Sequence, residues 1–102
     1  MSPQEEIRNK LPQIQEICQR YEVRELSLFG SALRSDFDSH SDYDFLVEFQ
    51  PDASVGLFKF GRMALDLEVL FHRKMDLVFK SGLKPRMRDS ILDQAQVFYA
   101  HR

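Results

Sequence analysis

Two aspartates open one apolar segment of this chain, Asp42 and Asp44 in "SDYDFLVEF", and a third, Asp76, sits inside the apolar "KMDLVF". If Tyr43–Phe49 is a strand, residues 42 and 44 lie two apart and project from the same face. Like charges at about 4 Å repel by about 1 to 4 kcal/mol as the effective dielectric falls from roughly 80 to 20. The pattern asks for a cation. A carboxylate inside a strand is costly without a partner, so Asp76 either lies near water at the sheet edge or joins Asp42 and Asp44 around that cation. Three carboxylates on neighbouring strands make a hard oxygen site, suited to Mg²⁺ or Mn²⁺ better than to zinc, and Mg²⁺ commonly completes its shell with substrate phosphates.

Upstream, "LFGSALR" ends an apolar run on Gly30 and Ser31. Glycine allows close approach of backbone to a ligand, Ser31 offers a hydroxyl and an N–H, and a short helix starting there would aim further N–H groups at an anion. A triphosphate fits such a cradle. Metal held by Asp42 and Asp44 would bridge the phosphates, and a second ion involving Asp76 would acidify an attacking hydroxyl, as in two-metal phosphoryl chemistry. Arg34, one helical turn past Ser31, is a candidate phosphate contact.

The elements that must position these residues read as follows. "SPQE" at Ser2 to Glu5 is a helix start with a capping Ser, a Pro at the first helical position and a Glu able to close a capping box. Ile7, Leu11, Ile14, Ile17, Cys18 and Tyr21 then recur at helical spacing, and Pro12 either kinks that helix or begins a second one. "VRELSLF" at Val23 to Phe29 alternates and runs into Gly30 as a strand, Asp36 to Asp42 is a polar turn, and Tyr43–Phe49 is the next strand. "QPDASVG" at Gln50 to Gly56 is loop, with Ser54 the expected cap of a helix through Leu57, Phe60, Gly61, Ala64, Leu67 and Phe71. Lys74–Phe79 is a third strand, followed by a helix from about Pro85 to Ala95 and a short terminal strand, "VFYA". Strands separated by helices predict a small α/β or α+β sheet with helices packed on it.

Size and composition set the outer limits. A chain of 102 residues is expected to form a single domain, 1–102, with no room for a second, substrate-binding one. The formal net charge of −2 argues against a surface built to hold long nucleic acid. Nine Phe and no Trp point to an aromatic core. The one cysteine, Cys18, has no disulfide partner within the chain and reads as a packed core residue. No signal-like start and no apolar run of about 18 residues is visible, so no membrane association and a cytoplasmic location are expected.

"LFGSALR", the spacing from Ser31 to Asp42, "SDYDFLVEF" and "KMDLVF" together resemble the DNA polymerase β-like nucleotidyltransferase superfamily, in particular its minimal (MNT) members. The resemblance covers nearly the whole chain, since "GLKPRMRDSILDQAQVFYA" is similar to the usual end of that family. It implies an α+β domain with a small mixed β-sheet flanked by helices, the polymerase β-like nucleotidyltransferase fold, with phosphate contacts at Gly30 and Ser31 and metal binding and acceptor activation at Asp42, Asp44 and Asp76. Members often follow Gly-Ser with one residue and then Ala-Arg-Gly, whereas here the order is Ala32, Leu33, Arg34, Ser35. Minimal members are antitoxins encoded beside a HEPN-domain ribonuclease toxin. The resemblance thus implies transfer of AMP from ATP, with Mg²⁺, to a tyrosine of a cognate HEPN toxin, and a hetero-oligomer with it. A non-catalytic antitoxin that only covers the toxin, and a small-molecule nucleotidyltransferase, are the alternative readings.

Outside that pattern, Ser41 reads as a turn residue, His40 as an exposed loop histidine with a proton relay as the alternative, and no metal-ligand spacing links His72 and His101. Lys80, Lys84, Arg86 and Arg88 form the densest basic cluster, most simply a solvated helix face. Leu57, Phe58 and Phe60 are more apolar than one helix face requires, so an exposed Phe58 would suit a partner contact.

Overall fold

The computed structural model describes residues 2–38 and 40–101. Helix α1 (Pro3–Asn9) starts as its sequence dictates: Ser2 Oγ accepts the Glu5 N–H at 3.1 Å, and its hydroxyl donates to the Glu5 carboxylate at 3.1 Å. The question at Pro12 resolves as two helices. Lys10 leaves the helical conformation, and α2 (Leu11–Arg20) carries Pro12 in its first turn, where a missing N–H costs no hydrogen bond. Lys10 also fastens this break to the rest of the domain, donating from Nζ to the Leu70 carbonyl at 2.7 Å.

Strands β1 (Val23–Phe29), β2 (Tyr43–Phe49), β3 (Met75–Phe79) and β4 (Gln96–Ala100) form one mixed sheet in the order β3-β2-β1-β4. β1 runs antiparallel to β2 and β4, while β2 and β3 are parallel and joined through α3 (Leu57–Phe71). A 3₁₀ turn, Gly30–Leu33, follows β1, a second one, Lys80–Gly82, follows β3, and α4 (Pro85–Gln94) leads into β4. The expected third strand begins at Met75 rather than Lys74, and the last helix stops at Gln94 rather than Ala95. Ser54 does not cap α3; Gly56 occupies that position with no side-chain cap, because the loop ends two residues later than the serine.

Register divides the side chains between two faces. Leu28 pairs with Phe45 and Phe45 with Leu77, so these residues, with Leu26, Tyr43 and Val47, share the face on which Ile7, Ile14, Ile17, Cys18, Met63, Leu67 and Phe71 pack. Tyr43 is central to this aromatic core, stacked on Phe37 at 5.5 Å and edge-on to Phe71 at 5.3 Å. The opposite face carries Asp44, Leu46 and Glu48 of β2, Asp76, Val78 and Lys80 at and after β3, and Glu25 and Ser27 of β1. α3 packs on the first face through Met63, Leu67 and Phe71, while Ser27 and Leu46 are buried on the second. Among the described residues no helix is long and apolar enough to cross a membrane.

Candidate active site

The polar residues singled out in the sequence gather where β1 ends and β2 and β3 begin. Phe29 pairs with Asp44, and Asp44 pairs with Asp76 across the parallel ladder, so both carboxylates stand side by side on the second face. Asp42 lies one residue before β2, exposed. Gly30 turns the chain away from β1 with φ +74°, a conformation that costs a residue with a Cβ about 1–2 kcal/mol. The turn also puts it against β2. A Cβ added there would overlap Asp44 Oδ2 and lie 3.0 Å from its Cγ.

Ser31 ties the two halves together. Its N–H donates to Asp44 Oδ2 at 3.3 Å, and its hydroxyl donates to the Asp42 carbonyl at 3.0 Å, with Asp44 Oδ2 as an alternative acceptor at 3.4 Å. The expected short helix is a 3₁₀ turn of four residues. It ends at Leu33, leaving Arg34 extended and exposed, with its guanidinium on Asp36 at 3.1 Å. In this conformation Arg34 serves its own loop.

The electrostatics of the site are set by burial and by mutual repulsion of its carboxylates. Partial burial pushes the Asp44 carboxyl above the ordinary carboxylate range, and the charges of Asp76 and Asp42 push the same way, opposed by the two hydrogen bonds from Ser31. Among the described residues no Lys, Arg or His pairs with Asp42, Asp44 or Asp76. Nor do the three stand as a closed cage, because no group of three potential ligands among those residues has metal-holding geometry. Two strand carboxylates paired in register, with Asp42 just before the strand, nonetheless fit Mg²⁺, which takes one or two protein oxygens and draws the rest from phosphate and water.

The remaining candidates fall elsewhere. His40 is exposed in the turn, where its N–H donates to Asp38 Oδ1 at 2.8 Å, and Ser41 donates to the same oxygen at 3.3 Å. His72 caps α3 in the left-handed region, and the His101 N–H donates to the Arg24 carbonyl at 2.7 Å. Lys80 is drawn between Glu25 at 3.1 Å and Glu48 at 4.0 Å, whereas Lys84, Arg86 and Arg88 are exposed. A cavity of about 490 Å³ opens at the far ends of β2 and β3, lined in part by Glu48, Phe79, Lys80 and Arg88 and by none of the three aspartates. Leu57 and Phe58 are each 86% exposed. Sequence reading missed Arg73, whose Nη1 reaches the carbonyls of Ser41 and Asp38 just before Asp42.

This constellation can be set beside known proteins. The profile of the nucleotidyltransferase domain matches residues 11–98, from α2 to β4. The chain belongs to the nucleotidyltransferase domain family. This nucleotidyltransferase is 39% identical over 77 residues to the protein adenylyltransferase MntA of Thermococcus cleftensis, covering 76% of each chain. A solved structure assigned as a minimal nucleotidyltransferase is 32% identical, with a TM-score of 0.75 over 93% of this chain and 94% of that one. A tri-AMPylated Shewanella oneidensis HEPN toxin in complex with an MNT antitoxin gives a TM-score of 0.66 at 14% identity, covering 92% and 72%. At that identity the likeness is one of fold. The sheet and its flanking helices are therefore those of a minimal nucleotidyltransferase, as the sequence resemblance implied.

Proposed function

We propose that this nucleotidyltransferase is an antitoxin that transfers AMP from ATP to a tyrosine hydroxyl of a HEPN ribonuclease toxin. The observation that carries the reading is the side-by-side placement of Asp44 and Asp76 beside Gly30 and Ser31. Likeness to a protein adenylyltransferase supports the AMP group and a protein acceptor. The toxin as acceptor follows the complex with which the fold compares.

In this reading Asp42, Asp44 and Asp76 hold Mg²⁺, which when bound screens the triphosphate and favours the ionised form of the attacking hydroxyl. Gly30 leaves the space that the Asp44 carboxylate occupies. Ser31 keeps Asp44 in place and offers donors on the phosphate side of the turn. The tyrosine oxygen forms a bond to the α-phosphorus, the bond from that phosphorus to the pyrophosphate oxygen breaks, and the hydroxyl proton passes to Asp76 or to water. A phosphodiester added near a ribonuclease site would repel the RNA backbone.

The test coexpresses the toxin with wild type or with Asp42→Asn plus Asp44→Asn, and scores growth and the intact mass of the toxin. Wild type should restore growth and add the mass of one or more AMP groups, and the double variant should do neither. Full protection by the double variant with an unmodified toxin would replace transfer by simple binding.

A further inference from the structure

Asp42 and Asp76 are both exposed, but Asp42 lies outside the regular ladder that pairs Asp44 with Asp76. Its place is set by the backbone on either side. On the far side the Tyr43 N–H donates to the Lys74 carbonyl at 3.2 Å. On the near side the turn closes on itself, with the Ser41 N–H donating to the Asp38 carbonyl at 3.1 Å and the Asp38 carboxylate accepting from His40 and Ser41. Those bonds shape the turn but do not fix it to the domain.

Two groups make that attachment, the Ser31 hydroxyl on the Asp42 carbonyl and, on the turn itself, Arg73. Its Nη1 donates to the Ser41 carbonyl at 2.5 Å and the Asp38 carbonyl at 3.2 Å. Its guanidinium carbon lies 4.9 Å from the Phe37 ring centre and 4.8 Å from that of Tyr43, two rings that stack on one another. One side chain thus grips residues 37, 38, 41 and 43, which surround Asp42. Arg73 itself is held two residues after α3 and three before Asp76, with its N–H on the Glu68 carbonyl. It links the segment that carries Asp42 to the start of the strand that carries Asp76.

We propose that Arg73 is a positioning residue that holds the Asp38–Ser41 turn, and through it the Asp42 carboxylate, at the metal- and phosphate-binding site. The inference rests on the functional reading above. A planar guanidinium can bond two carbonyls and lie against two rings at once, which a lysine ammonium cannot reproduce. Groups that orient metal ligands typically affect metal affinity or activity by about 10–100-fold when removed.

The experiment compares wild type, Arg73→Lys, Arg73→Gln, Asp42→Asn and the Arg73→Gln/Asp42→Asn pair. Mn²⁺ binding is measured by electron paramagnetic resonance with a non-hydrolysable ATP analogue, and amide exchange is followed across residues 40–44, β1 and β4, below each variant's melting point. Both Arg73 variants should bind Mn²⁺ about 10–100-fold more weakly. Amides 40–44 should exchange faster while those of β1 and β4 hold, and adding Arg73→Gln to Asp42→Asn should weaken Mn²⁺ binding little further. Unchanged Mn²⁺ binding in both variants, or full rescue by lysine, would overturn the proposal. If wild type binds no Mn²⁺, the functional reading fails; exchange at 40–44 in the Arg73 variants then decides the anchoring role by itself, faster exchange supporting it and unchanged exchange overturning it.

Discussion

Gly30 and Asp44 share a space that admits a carboxylate oxygen on one side and no side chain on the other. Gly30 has φ +74°, and a Cβ there would overlap Asp44 Oδ2. The turn after β1 and the carboxylate on β2 are thus built as one unit, joined by the Ser31 N–H.

Gly30→Ala should therefore lose both stability and activity. The left-handed conformation alone costs a residue with a Cβ about 1–2 kcal/mol, and the overlap forces Asp44 to turn away as well. Chemical denaturation and a transfer assay check this. A variant as stable and active as wild type would mean that the turn relaxes freely.

Asp44 should make stability depend on pH in a particular direction. Its folded carboxyl is raised, first by burial and then by Asp76 and Asp42, so the folded state binds more protons than the unfolded state. Its contribution is favourable below the ordinary carboxylate pKa and is lost as pH rises through the raised value. Asp44→Asn, whose amide oxygen can still accept from Ser31, should melt above wild type at neutral pH, with the gap closing in acid. Mg²⁺ with nucleotide should raise the melting point of wild type and not of the variant. A variant that melts below wild type at neutral pH would contradict the raised value.

Cys18 should be inert in the native protein. Burial pushes its thiol up to about 12 and leaves it among Ile14, Ile17 and their neighbours. Alkylation by iodoacetamide at pH 8 should proceed only on unfolding. Rapid labelling of the folded protein would mean that α2 opens from the sheet.

Much of this arrangement was legible because alternation and turn chemistry are local signals. Val23–Phe29 and Tyr43–Phe49 occur as strands with the expected bounds, and the two-residue spacing of Asp42 and Asp44 predicted only a shared face. The cap of α3 was misplaced because Ser54 has good capping chemistry while the helix begins beyond its reach, at Leu57. Arg34 looked helical because Gly30–Leu33 is helical, but one 3₁₀ turn ends before reaching it. Arg73 left no local trace. Its partners are the carbonyls of residues 32 and 35 positions earlier, together with two rings brought to it only by the packing of α3 against the sheet.

Asp76→Asn should separate holding the nucleotide from reacting it. Asp76 pairs in register with Asp44 and contributes repulsion to it, so its neutral replacement relieves that repulsion. ATP binding in Mg²⁺ should persist within a few-fold while transfer falls by about 100-fold or more, the scale of a lost general base. Loss of both together would place Asp76 in nucleotide binding alone.

The central claim, transfer of an adenylyl group to a protein, is tested most directly by the origin of the transferred phosphorus. Purified protein, toxin and Mg²⁺ are incubated with ATP labelled at the α- or the γ-phosphate, and the toxin is then resolved and counted. The account predicts label on the toxin from α-labelled ATP only, abolished by Asp42→Asn plus Asp44→Asn. Label from the γ-position, or a toxin inhibited without any label, would contradict it.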